Sequence, residues 1–257
     1  MKKLAMLTIA ALTALSLTGC IQLYSDTVIE KDGSGTASLT ISMSPTGAEL
    51  VKEMKELEMD KDQNMEMPMF EDINKDDLVK AAKGHGVKIK KFEKANVHGR
   101  DQIDILLEFE DLKGLSFVMG SAMGGEAGDG YGIFEATDGN FILKATHYDF
   151  PAEEVAAIEE PETGTGEEAD KPAMTDEEKA QKQMAMMGKL MGAMAELDVK
   201  FTITVPGEII ESNAPAMEGN TSIWAVNASN MMSQQGTDME PVITFSSKGL
   251  KIKPLKE

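Results

Sequence analysis

Cys20 is the only thiol in a chain of 257 residues, and it closes the stretch Leu17-Thr18-Gly19-Cys20. A lone cysteine has no intrachain disulfide partner, so any covalent chemistry at this sulfur has to involve another molecule. Lys2 and Lys3 precede an uncharged apolar run, Leu4 to Leu17, which has the pattern of a cleaved N-terminal signal and is too short to span a bilayer as a helix. Other chemistry finds little support. His85, His98 and His147 are scattered, with no His-x-x-x-His or His-Glu spacing for zinc. No serine sits in a Gly-x-Ser-x-Gly elbow. Asp72-x-Asn74-x-Asp76 begins like a calcium loop, but Asp77 takes the glycine position and Lys83 the closing glutamate position. Residues 120–132 are glycine-rich yet lack the Gly-Lys-Ser/Thr ending of a phosphate loop. The expectation is a non-catalytic protein with no metal and no cofactor.

Leu-Thr-Gly-Cys resembles the lipobox of bacterial lipoproteins, with a small residue at Gly19 and a leucine three positions ahead of the cysteine. The alternative is an ordinary secretory signal that a cysteine merely follows. The resemblance implies that residues 1–19 are a signal peptide cut before Cys20, that the thiol is diacylglycerylated, and that the new amine is often acylated. One acyl chain anchors only marginally, whereas two or three hold firmly, so Cys20 would tether the chain to a membrane without a transmembrane helix. The implied location is the bacterial cell envelope. Ile21 after the cysteine favours the outer membrane if the cell is Gram-negative.

Composition narrows the partners. The formal charge of −19 becomes −21 once Lys2 and Lys3 leave with the signal. Such a surface repels nucleic acid and anionic headgroups, so no nucleic-acid partner is expected. Arg100 is the only arginine, which leaves at most one place for bidentate capture of a phosphate or carboxylate. Methionine is abundant (20 residues), against three tyrosines and one tryptophan.

The elements follow from periodicity. Ala37, Leu39, Ile41 and Met43 alternate with polar residues after Asp32-Gly33-Ser34-Gly35, predicting a hairpin over residues 21–43. Ser44-Pro45 opens a helix with Leu50, Val51, Met54 and Leu57 on one face. Asn74 caps a short helix, 75–83. Strands follow at Val87–Phe92, with a slip near Lys90-Lys91, and at Ile103–Phe109. An apolar turn or helix runs from Asp111 to Met119, and a hairpin turns at Asp138-Gly139. Residues 151–174 form an acidic linker. Thr175-Asp176-Glu177-Glu178 then starts a methionine-rich helix, 175–196. Further strands lie at 199–205, 208–211, 221–226 and 242–247, ahead of a lysine-bearing solvated tail.

Pro206-Gly207-Glu208-Ile209, Ser212-Asn213, Gly219-Asn220 and Trp224, together with the Asp32–Gly35 turn, resemble segments of the LppM-like family of bacterial lipoproteins. The resemblance covers residues 21–150 and 197–228, and implies an envelope-anchored α+β domain with lipid binding. The expected fold is thus α+β, a curved antiparallel sheet built from hairpins and packed by several helices. Residues 20–150 and 197–257 contribute to one domain, interrupted by the linker and the methionine helix. On that helix Met184, Met187, Leu190, Met191 and Met194 are the candidate ligand-binding residues, since methionine repacks around varied apolar shapes. The function expected is a lipid-anchored envelope protein that binds a lipid or other hydrophobic ligand. The alternative is an assembly protein that docks an envelope partner through the same helix. The sequence leaves the oligomeric state open.

A Cys20→Ser chain is expected to remain unprocessed and to leave the membrane fraction. Fractionation and immunoblotting check this, and a variant that stays membrane-bound as the mature species overturns the anchor assignment.

Overall fold

The computed structural model describes residues 20–56, 73–122, 128–151, 184, 188–189, 192, 196–227 and 240–256. The signal at 1–19, nearly all of the acidic linker and most of the methionine helix, Met187, Leu190, Met191 and Met194 among them, lie outside these residues. Eleven described strands form two sheets, and three described helices join them, an α+β architecture. The first sheet has seven strands. Its spatial order is β3 (Val87–Val97), β4 (Arg100–Phe109), β2 (Gly35–Met43), β1 (Ile21–Ile29), β7 (Asp198–Thr204), β10 (Thr221–Asn227), β9 (Ala216–Glu218). The second has four, in the order β5 (Asp129–Glu135), β6 (Phe141–His147), β11 (Ile243–Phe245), β8 (Ile209–Ser212). The helices are α1 (Pro45–Glu56), α2 (Lys75–Ala82) and α3 (Leu112–Ala122).

Local chemistry explains the turns and caps. Asp32 Oδ1 accepts from both the Ser34 amide and its hydroxyl, closing the β1–β2 turn. Asp138 does the same with Asn140 between β5 and β6. Asn74 Oδ1 takes the Asp77 amide at 2.9 Å as the N-cap of α2, and Ser44 Oγ takes the Gly47 amide at the start of α1. The slip near Lys90 is a register shift between Ile89 and Lys91 against β4.

The sheets are not built from hairpins alone. β1 pairs antiparallel with β2 but parallel with β7, with Leu23 opposite Val199, Ser25 opposite Phe201 and Thr27 opposite Ile203. A parallel neighbour requires a crossover, and here everything between residues 30 and 197 supplies it. The C-terminal tail also differs from a free, solvated end. Lys251 donates its amide to Lys31 O and Leu255 to Ile133 O, while Leu250 and Ile252 pack against the core. Leu250 and Ile252 alternate with Lys251 and Lys253, so the lysines point outward along a segment whose backbone and apolar side chains are in use.

Side chains from both sheets and from α2 and α3 meet in one core. Ile103, Val118, Trp224, Ile243 and Phe245 are its most deeply buried members. The start of α3 is pressed against the turn after α2: a Cβ on Gly114 would stand 1.9 Å from His85 O. Gly114→Ala is therefore expected to lower stability by about 1–3 kcal/mol through forced displacement of α3. Urea denaturation checks it, and an unchanged midpoint would show that α3 is not held this closely.

Candidate functional site

Strand register decides what the first sheet presents to the core. One row across it reads Ile105, Leu39, Ser25, Phe201, Trp224, and the next Leu107, Ala37, Thr27, Ile203, Ser222. Both rows fall to smaller side chains on β1, Ser25 and Thr27, and the second also on β2, at Ala37, where a closed core would carry leucine or isoleucine. Across the gap the facing layer is also shallow, with Ser116 on α3 and Ala145 on β6, and the Gly130 backbone on β5 lets α3 close against it. Gly130 is required there, because a Cβ would meet Ser116 Oγ at 1.8 Å. Small residues on both sides leave a cavity of about 670 Å³ between the sheets and α3.

Leu39, Ile105, Leu107, Leu112, Leu115, Leu143 and Ile203 make its walls apolar. Its polar groups are few: Ser25, Thr27, Ser38, Ser116, Asp129, Tyr131, Thr146 and Glu240. Exposed Asp129 and Ala145 place the mouth at the outer ends of β5 and β6. Asp129 Oδ1 also contacts His147 Nδ1 at 2.7 Å across the hairpin. Tyr131 is braced from behind, its carbonyl accepting from Tyr148 Oη at 2.8 Å. Burial, and then the carboxylate of Glu240, push the Tyr131 hydroxyl up. Burial, followed by the charge of Asp111, takes Tyr148 to about 12.

Cys20 lies at the other end of β1, roughly 17 Å from Ser25 at the strand rise of about 3.3 Å per residue. Its side chain is buried, and Sγ donates to Glu196 Oε2 at 3.1 Å. Burial first, then Glu196, push the thiol up from its ordinary value. Its carbonyl accepts from the Ser44 amide at 2.9 Å and lies 3.5 Å from Arg100 Nη2. Arg100, itself buried, also donates Nε to Ser42 Oγ at 2.8 Å. The single arginine is thus used inside the fold, on Ser42 of β2 and the residue just before β1, so the one place the sequence left for bidentate capture is taken up by the chain itself.

Among the sequence-selected methionines, Met184 is described. It is helical and 80% exposed, and it is absent from the described cavity wall. Gly188 and Gly192, one and two turns on, are exposed as well, and nothing lies within 4 Å of where their Cβ atoms would be. Lys189 ties this helix to α1 through Glu53, at 2.6 Å. The methionine that lines the described cavity is Met119, on α3. Among the described residues no group of three or more His, Cys, Asp or Glu side chains is placed to hold a metal ion. Nor is any described helix long and apolar enough to cross a membrane.

Fold and site together define an α+β domain of two sheets with an apolar cavity between them. No protein-family model matches the chain, and no curated protein matches it. Among solved structures it is similar to the NMR structure of the folded domain of LppM from Mycobacterium tuberculosis. The two share 10% identity over 89% of this chain and 90% of that one, with a TM-score of 0.39.

Two tyrosines carry a pH signature. Burial and Asp198, to which its hydroxyl donates at 2.6 Å, take Tyr24 to about 12, the same level as Tyr148. Between the ordinary value of 10 and that level the folded chain keeps protons that the unfolded chain has released. Their contribution to stability is therefore whole below pH 10 and is lost as pH rises towards 12. Tyr148→Phe is expected to flatten part of this alkaline decline in urea midpoints at pH 9 and 11. An identical fall in the variant would remove Tyr148 from the account.

Proposed function

We propose that the chain is a non-catalytic, lipid-anchored protein of the bacterial cell envelope. On this reading it binds a hydrophobic ligand, an acyl chain or similar, between its two sheets. The observation that carries the reading is the cavity. Its size falls within the range of small-molecule sites, and mostly apolar walls interspersed with polar side chains are what such sites offer. Energetics supports occupancy. At about 24 cal/mol per Å³, a sealed dry void of this volume would cost roughly 16 kcal/mol, as much as the whole stability of an ordinary domain. A space this large has to be open to water or filled, and apolar walls favour filling by an apolar guest.

The anchor half of the proposal rests on the Leu17–Cys20 resemblance. The buried Cys20 thiol that donates to Glu196 is the unmodified sulfur; a diacylglyceryl thioether has no hydrogen to give, so modification would precede the docking of β1 and the acylated sulfur would turn out of this contact.

The test is mass spectrometry of apolar extracts from the purified full chain, alongside Ser25→Phe and Thr27→Leu. These variants refill the shallow rows of the first sheet. The expected result is a stoichiometric hydrophobic molecule in the parent, reduced at least about tenfold in the variants while their melting temperatures stay level or rise. Equal recovery from parent and variants would overturn the cavity as the binding site.

A further inference from the structure

Among the described residues, the charged groups that line the cavity are of one sign. Asp129 and Glu240 stand on the described wall, and no lysine, arginine or histidine does. The sequence around them repeats the pattern: no basic residue occurs between Lys113 and Lys144, or between Lys200 and Lys248. The first of these stretches supplies most of α3 and all of β5, and the second supplies β8 to β11. Of the two strands at the mouth only β6 brings basic groups, Lys144, which lies over the Phe134 ring, and His147, whose Nδ1 is already taken up by Asp129, and the net charge of −19 adds to the same field. Carriers of anionic amphiphiles need the reverse, a cation or a cluster of donors that meets the headgroup as the tail goes in. Ser25, Thr27 and Thr146 offer neutral hydroxyls instead, and Ser116 Oγ, whose hydrogen goes to Leu112 O at 2.8 Å, can still accept; such groups serve esters, amides and alcohols as hydrogen-bond partners.

Resting on the cavity reading above, we infer that the ligand is an acyl-chain molecule whose polar end carries no net negative charge. Uncharged glycerol esters and cationic amphiphiles are admitted. Free fatty acids and lipids with anionic heads are turned away at Asp129 and Glu240. The selection is electrostatic and acts at the mouth, because the apolar walls treat equal tails alike.

The test uses the full chain in phosphatidylcholine nanodiscs and three photoactivatable probes with the same sixteen-carbon tail. One ends in a glycerol ester, one in trimethylammonium and one in carboxylate. Labelling of the peptides that carry Leu39 and Leu115, normalised to each probe's partition into the disc, is the readout. The glycerol and trimethylammonium probes are expected to label at least about tenfold more than the carboxylate probe. In the double variant Asp129→Asn, Glu240→Gln the carboxylate probe should rise to the level of the glycerol ester. Carboxylate labelling that equals or exceeds the neutral probe in the parent would overturn the inference while leaving hydrophobic binding intact. So would a carboxylate probe that stays excluded from the double variant. Absence of labelling by all three would remove the cavity reading together with this one.

Discussion

Parallel pairing of Ile21–Ile29 with Asp198–Thr204 holds the molecule together. It places the first strand of the domain in the middle of the seven-stranded sheet, between partners taken from opposite ends of the chain. Everything else hangs from that contact. β10 and β9 reach the sheet only through β7, and the rows that floor the cavity run unbroken from β4 to β10 only because β1 and β7 are in register. Closing so long a crossover costs little more than closing a shorter one, since the entropy grows only with the logarithm of length. The larger consequence is kinetic, because non-local strand pairing slows folding.

The cavity shows how a core is left unfinished by choice of residue and not by a packing fault. Ser25, Thr27 and Ala37 fall side by side on one layer, and Ser116 and Ala145 stand opposite. Any one of them alone would be absorbed by neighbouring side chains. Five together exceed what rotamer adjustment can fill, because interiors relax only partly around missing volume. Around this gap the packing is full, with Trp224 stacked on Phe201 at 4.9 Å and Phe245 and Ile243 fully buried.

What the sequence discloses divides by range. The hairpin turns at Asp32 and Asp138, the Asn74 cap and the slip beside Lys90 all arise from residues within a few positions of each other, and each is found where its pattern predicts. The β1–β7 pairing and the division into two sheets depend on contacts across more than a hundred residues and leave no periodic trace. The cavity is harder still. A serine at an inward position of β1 has the same alternation as one at an outward position until register assigns its face. Ser25 and Thr27 interrupt the inward series Leu23, Ile29, and that interruption was the available signal. Methionine abundance drew attention to Met184 instead, and Met184 faces solvent.

Cys20 immediately precedes β1, so under the anchor reading no flexible lead separates the acyl chains from the central strand of the sheet. A pull on the anchor therefore runs along β1 itself. Antiparallel ladder bonds lie across the strand direction, and those to β2 would be loaded together with the parallel bonds to β7 instead of opening one at a time. Were Cys20 the anchor, the fold would meet drag from the membrane in shear, and the sheet itself would serve as the mechanical clamp.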